Sequence, residues 1–382
     1  MTVWDPLRAN ASIDGLARQV SARDLAHAWL LLGPSGSDKA AAATAIAAAV
    51  NCEVAPGVGC GDCSTCLRIL RHRHPDVHHI APEGTFILVD QIRDSVISEA
   101  SRSPFEGRSK VFIVEEADRM NPAAQNALLK TLEEPGPGTL FVLLSAREEE
   151  LLDTIRSRCR AVHLHRVAEE HIARVLTSEG IPPERALLAA RVCEGDLHRA
   201  RALTSSDPMW DRRAFWLSIP RRLASPVDAL DIAAEVVAEA REAVKERESQ
   251  QKAEVADLAE AMGEGRGTAA ARNALSKRHK RELRRVEESV LAEALDTLGA
   301  FYRDVLALRF GGEALANLDV MDDLRGWAES DLTDLALLQA VERCVTARAS
   351  LSKNANVTLA VETTMLTLAQ LAPPASKVGA RR

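Results

Sequence analysis

The sequence predicts an α/β protein followed by an all-α region: a parallel-sheet core with an inserted metal module, a small helical lid and a helical C-terminal domain. Three observations point there. From about residue 28 to 165, apolar runs alternate with helical patterns. Those runs are continuous rather than alternating, which implies strands buried on both faces of a parallel sheet. After "CRAVHLHRV" the strand signals stop. A chain of 382 residues also suffices for two or three domains.

Each element can be justified in turn. "HAWLLLG" reads as a buried strand and "SDKAAAATAIAAAVN" as the helix after it. "FILVDQIRDSVISEAS" gives a short strand or turn, then a helix with apolar positions at Ile92, Val96 and Ile97. "SKVFIVEEADRM" is a strand ending in acids, "PAAQNALLKTLEE" a helix, "TLFVLLSA" another strand, and "CRAVHLHRV" the last. These make up a core over 1–165. Three short helices are expected over 166–205, punctuated by "EGIPPE" and "CEGD". From 206 to 372 the pattern is helical throughout. Within it, charged segments on either side of "GEGRG" suggest an antiparallel pair of long helices over 234–300. The tail, 373–382, is expected to be disordered.

Composition excludes several classes. Hydrophobic residues at 46% with 27% charge are ordinary for a chain that folds, and a net charge of −7 argues against bulk attraction to nucleic acid or anionic membrane. The start "MTVWDPLRANASIDG" lacks the basic and apolar regions of a secretory signal. No run of about 18 apolar residues is present. A cytoplasmic location is the expectation.

Seven cysteines are present, four of them crowded into residues 52–66. Cys52, Cys60, Cys63 and Cys66 follow C-x₇-C-x₂-C-x₂-C. Tetrahedral zinc takes four soft ligands at about 2.3 Å, and a C-x₂-C turn presents two thiolates together. Gly57, Gly59 and Gly61 supply the turns. Four thiolates leave no open coordination position, so a structural zinc is expected over a catalytic one; a redox pair or unrelated cysteines are the alternatives. His72, His74, His78 and His79 are read as a solvated linker.

"LLGPSGSDKA" runs from a strand into a glycine turn, with Gly33, Gly36 and Lys39 placed as in a phosphate-binding loop. A working G-x-x-x-x-G-K-[ST] would have glycine at Asp38 and a hydroxyl at Ala40. An acid beside the lysine opposes phosphate oxygens, and a methyl replaces the magnesium ligand. Some 75 residues later, Glu115 and Glu116 end an apolar strand as Walker B acids do. In "LLDTIRSRC", Arg156 and Arg158 have no acid adjacent to neutralise them. They read either as surface arginines or as a fork presented to a phosphate.

"HAWLLLGPSGSDKA", the four-cysteine module, "HPDVHHIAPEGTFILVDQIRD", "VFIVEEADRMNPAAQNALLKTLEEPGPGTLFVLLSA" and "TIRSRC" together resemble the bacterial clamp-loader AAA+ family. The resemblance covers roughly residues 1–205. It implies a RecA-like AAA+ core with a zinc module, a helical lid and a helical collar that oligomerises. That family forms a partial ring that opens a sliding clamp and places it on primed DNA, driven by ATP. The triplet Ser157, Arg158 and Cys159 resembles that of the family's stator, which has no ATPase of its own. There Arg158 would project into a neighbour's ATP site, where an arginine finger in trans is worth roughly 10³–10⁵ in turnover. The implied partners are gamma/tau-type ATPase subunits and a delta subunit, with clamp and primed DNA reached through the complex and no membrane. Where ATPases of the family place a second sensor arginine, "CEGDLHRAR" has His198 with Arg199 beside it.

On this reading ATP is not a cofactor, and Gly33, Gly36, Lys39, Glu115 and Glu116 form a vestigial nucleotide site. A working gamma/tau-type ATPase is the alternative, but it would need the intact loop that Asp38 and Ala40 break. A freestanding zinc regulator would leave Arg158 without a role. Cys193 and Cys344 are expected in the core. The basic run at 277–285 could touch DNA or a partner, although acids at 282, 287 and 288 dilute it.

Overall fold

The computed structural model describes residues 2–22, 25–82, 86–205, 207–262, 266–313, 316–351 and 356–371, with backbone alone at the described positions from 253 to 275 and at 277, 278 and 281. The tail at 373–382, and the side chains of Lys277, Arg278 and Arg281, lie outside the described residues. The chain divides into two compact units, Met1–Ser205 and Ser206–Arg382.

The first unit is built on five parallel strands: β1 (Ala28–Leu32), β2 (Val77–Ile80), β3 (Lys110–Val114), β4 (Thr139–Ser145) and β5 (Arg160–His163), in the order β2-β3-β4-β1-β5. The three central strands are buried along their whole length. Their side chains alternate between two apolar layers, as the pleat requires. Trp29, Leu31, Val111, Ile113, Leu140 and Val142 enter one layer, and Leu30, Phe112, Val114, Phe141 and Leu143 the other.

Helices α1 (Ile13–Val20), α2 (Lys39–Asn51) and α3 (Ser64–Leu70) lie on the first layer. From Ala42 to Asn51 every residue of α2 is buried, which alanine permits because a helix of methyl groups can be covered all round. The second layer is covered by α4 (Val89–Ile92), a wider π-type turn (Arg93–Ile97), α5 (Ser98–Ala100), α6 (Pro122–Glu133) and α7 (Asp153–Arg156). Ile87 makes only an isolated bridge to Met120, so the strand signal before Val89 is a turn. Helices α8 (Glu169–Ser178), α9 (Pro183–Val192) and α10 (Leu197–Ser205) complete the unit.

The histidine segment is not a solvated linker. His78 and His79 belong to edge strand β2, and His78 stacks on Phe112 at 4.8 Å. His74 is buried beside Asp76, whose carboxylate accepts the N–H groups of Phe105, Glu106 and Gly107 at 2.6–2.9 Å. Paired histidines hide a strand because their rings are polar by composition yet stack as aromatics when half-covered.

The second unit is helical: α11 (Asp207–Arg222), α12 (Pro226–Met262), α13 (Arg266–Arg309), α14 (Met321–Ala328), α15 (Asp334–Leu351) and α16 (Val357–Leu371). One core joins them, with Phe301, Tyr302 and Trp327 in edge-to-face contact at 5.6–6.0 Å. Helices α12 and α13 run antiparallel. Arg247 Nη2 donates to Glu282 at 2.7 Å, and Gln251 reaches the His279 carbonyl at 3.3 Å. Cys193 and Cys344 are buried, as expected.

Candidate functional site

The carboxyl ends of β1, β3 and β4 converge at one edge of the sheet. There β1 and β4 are neighbours although β2 and β3 intervene in sequence, a switch point of the kind where open α/β sheets place ligands. The loop Gly33–Asp38 leaves β1 at this edge. A β-carbon on Gly33 would lie 2.3 Å from the Leu164 carbonyl, so glycine is required there. The buried Asn10 ties the loop down, donating to the carbonyls of His165 at 2.6 Å and Ser37 at 3.4 Å.

Asp38, which precedes α2, adopts φ 59°, the left-handed conformation that glycine would take without strain. Aspartate tolerates that region better than most side chains, so the turn survives the substitution. Lys39 does not reach out of the loop. Its Nζ donates to the carbonyls of Gly33 at 2.5 Å and Pro34 at 2.6 Å. Burial pulls the Lys39 ammonium below its ordinary value, and the Asp118 carboxylate works against that shift. Burial likewise pushes the Asp38 carboxyl up, and the charge of Asp196 adds to the effect, while His198 and Arg201 oppose it.

The two strand-end acids have other partners. Glu115 lies 3.5 Å from His79, and Glu116, itself at φ 50°, pairs with Arg119 at 2.8 Å. The acid that bears on Lys39 is Asp118, which also accepts Ser145 Oγ at 3.2 Å and Arg147 Nε at 3.2 Å.

Cys52, Cys60, Cys63 and Cys66 form a second site. Their four Sγ atoms lie within 4.8 Å of one another, and Cys52 and Cys63 are 4.0 Å apart. Tetrahedral zinc at about 2.3 Å from each sulfur needs a separation of about 3.8 Å, so the cage fits the ion. Backbone N–H groups already point at the sulfurs: Ala55 and Cys60 at Cys52, and Cys66 at Cys63, all at 3.2–3.4 Å. Burial pushes the Cys52 thiol up, but the N–H groups of Cys60 and Ala55 outweigh it and bring it down to about 6. At Cys63 the same competition also ends below the ordinary thiol value, whereas burial holds Cys66 above it. Gly57, Gly59 and Gly61 all have φ near +80°. At Gly59 a β-carbon would meet Val3 at 2.6 Å, so the module turns tightly against the N-terminal segment.

Arg158 sits just past α7, about one-third exposed. Its Nε donates to Glu133 Oε1 at 2.6 Å, its Nη2 pairs with the same carboxylate, and its Nη1 donates to the Thr154 carbonyl at 2.9 Å. Arg156 pairs with Glu148 and Asp153, each at 2.9 Å. The expectation that no acid neutralises these arginines is therefore wrong. Glu133 ends a helix 25 residues earlier, Glu148 lies eight residues upstream, and Asp153 is one helical turn away. Ser157 is exposed, its hydroxyl 3.3 Å from the Thr154 carbonyl. Cys159 packs against the second apolar layer, and burial pushes its thiol up to about 12, which disfavours the thiolate.

Comparison with known proteins now bears on this geometry. Residues 9–168 match the family described as "DNA polymerase III, delta subunit". DNA polymerase III subunit delta' of Bacillus subtilis is 34% identical over 190 residues, covering 50% of this chain and 57% of that one. The delta' subunit of Pseudomonas aeruginosa is 41% identical over 171 residues, covering 43% and 52%. Subunit tau of Escherichia coli is 35% identical over 199 residues, 50% of this chain and 31% of that one. Over its first half the chain is thus similar to clamp-loader subunits of DNA polymerase III. It spans about half the length of the delta' relatives.

Four residues that sequence reasoning missed bear on the glycine loop and on Arg158. Ser145 ends β4 and could be read as the polar ending of an apolar run, while Asp118 lies in the turn Ala117–Arg119 just past the acids that follow β3. Glu133 and Asp196 carry no local signal, because each meets its partner across the fold.

Proposed function

We propose that the chain is the delta-prime, or stator, subunit of a clamp loader, which turns over no nucleotide and donates Arg158 in trans to a neighbouring ATPase. Lys39 carries the reading: its ammonium donates to loop carbonyls at 2.5 and 2.6 Å, contacts it would have to give up to meet a triphosphate. Asp38 adds a second obstacle. A carboxylate about 4 Å from a phosphate charge costs about 4 kcal/mol at an effective dielectric near 20. Ala40 offers magnesium no hydroxyl.

Arg158 supports the other half of the role. A planar, permanent cation held by a single half-exposed carboxylate is oriented yet can exchange that carboxylate for a phosphate. Under this reading α8–α10 form the lid, the second unit is the oligomerising collar, and the four-cysteine cage holds one structural zinc. The ion would cross-link Cys52 to the C-x₂-C-x₂-C turns; it supplies no reactive position. The partners are gamma/tau-type ATPases and a delta subunit, with the clamp and primed DNA engaged by the whole complex.

The test is reconstitution with those ATPases, comparing wild type with Arg158→Ala and Arg158→Lys. Assembly should persist while ATP turnover falls by roughly 10³-fold or more for alanine. Lysine should rescue it little, lacking the planar fork. Unchanged turnover would overturn the finger, and loss of assembly would make Arg158 an interface strut. The match to tau favours a second reading, an ATPase in its own right. Saturable, magnesium-dependent ATP binding by the isolated chain would support it.

A further inference from the structure

Asp196 stands immediately before α10, where its Oδ1 accepts the Arg199 N–H at 2.8 Å and caps the helix. Capping accounts for one oxygen. The rest of the side chain lies against the phosphate loop: a β-carbon on Gly36 would be 2.5 Å from Asp196 Cβ and 2.8 Å from both Cγ and Oδ2. Gly36, at φ +79°, is therefore needed as much for Asp196 as for the turn.

We propose that Asp196 is a second closure of the loop to nucleoside triphosphates, independent of Asp38 and Ala40. It sets a carboxylate and its carbon atoms against Gly36, on a loop that binds phosphate only if its backbone N–H groups can meet an anion. Two further features keep the loop turned inward. The Ser37 N–H returns to the Pro34 carbonyl at 3.3 Å, and Ser37 Oγ donates to the same carbonyl at 2.8 Å. His198 and Arg201 act on Asp38, but Arg201 is held by Glu179 at 2.6–3.2 Å. Restoring the motif residues therefore leaves the site shut, and the specificity against nucleotide is shared between the loop and the segment entering α10. The inference rests on the reading that the native chain has no working nucleotide site.

Four full-length proteins test it: wild type, D38G/A40T, D196S, and D38G/A40T/D196S. Serine keeps a capping oxygen for α10 while removing the charge. A fluorescent ATP analogue is titrated with magnesium, and thermal unfolding checks that each variant folds. D38G/A40T should gain little, and adding D196S should tighten binding on the order of 100-fold, the effect of removing one nearby like charge. If D38G/A40T binds as tightly as the triple variant, or the folded triple variant binds no better, Asp196 is a helix cap and nothing more. Saturable binding by wild type would instead sink the reading that the native chain has no working nucleotide site. In that case D196S against wild type decides the matter, and equal affinity overturns the role of Asp196.

Discussion

The Lys39 ammonium lies 2.5 Å from the Gly33 carbonyl, six residues back in the same loop. A side chain suited to gripping a ligand has become a strut across its own turn. Replacing it with alanine should destabilise the first unit by roughly 1–3 kcal/mol, the cost of leaving loop carbonyls without a charged donor. In a working ATPase the same change would abolish turnover, whereas here turnover by the reconstituted complex should be unaffected. Thermal unfolding beside an ATPase assay checks both halves.

The cysteine cage should hold one zinc per chain. Cys63→Ser should release the metal, measured by a colorimetric chelator, and unfold the module locally, since structural zinc contributes roughly 10–16 kcal/mol in small peptides. The sheet should survive, because its second layer does not involve the module and its first is also covered by α1 and α2. A metal-free wild-type chain with unchanged proteolytic resistance over 52–66 would contradict the assignment.

Stability should fall with pH in two stages. Burial first, with Arg68 assisting, depresses His74 below its ordinary value, and burial and Lys110 do the same at His78. The unfolded chain then binds these protons more readily, so stability present above the ordinary histidine pKa of about 6.5 is lost as pH drops through it. At Asp76 burial raises the carboxyl, but the three N–H groups of Phe105, Glu106 and Gly107 outweigh it and hold it below the ordinary value. That contribution disappears as pH falls through about 4 and below. Melting temperatures from pH 8 to pH 4 should show both stages, and Asp76→Asn should remove the second while lowering stability at neutral pH.

The far part of the α12–α13 pair should be dispensable for folding. Its described interior contacts are polar, Arg247 with Glu282 and Gln251 with His279 and Glu282, while among the described residues the apolar core of the unit extends to Ala243 on one helix and Val290 on the other. Replacing 250–279 with a short glycine–serine turn should shift the melting temperature by no more than about 4 °C, the effect of about 1 kcal/mol in a unit of this size. A larger loss would mean that the pair packs elsewhere.

Much of the fold was legible. Strands β1, β3, β4 and β5, helix α2 and the helical second half all follow from apolar runs and periodicity, which are local properties of the chain. Strand β2 was not, because "VHHI" looks polar until His78 stacks on Phe112. The phosphate loop and the cysteine cage were legible because both are built within one short segment, where residue type and spacing dictate geometry.

What the sequence by itself determined was therefore short-range: a parallel-sheet core, a glycine turn lacking two motif residues, four cysteines spaced for one metal, and an arginine in a recognisable triplet. Only the tertiary structure decided that Asp118 rather than Glu115 or Glu116 bears on Lys39, that Glu133 holds Arg158, and that Asp196 leans on Gly36. These contacts join residues 25 to 160 positions apart. Charge acts through space over a few ångströms, so their partners are set by the path of the chain, which no local pattern of side chains encodes.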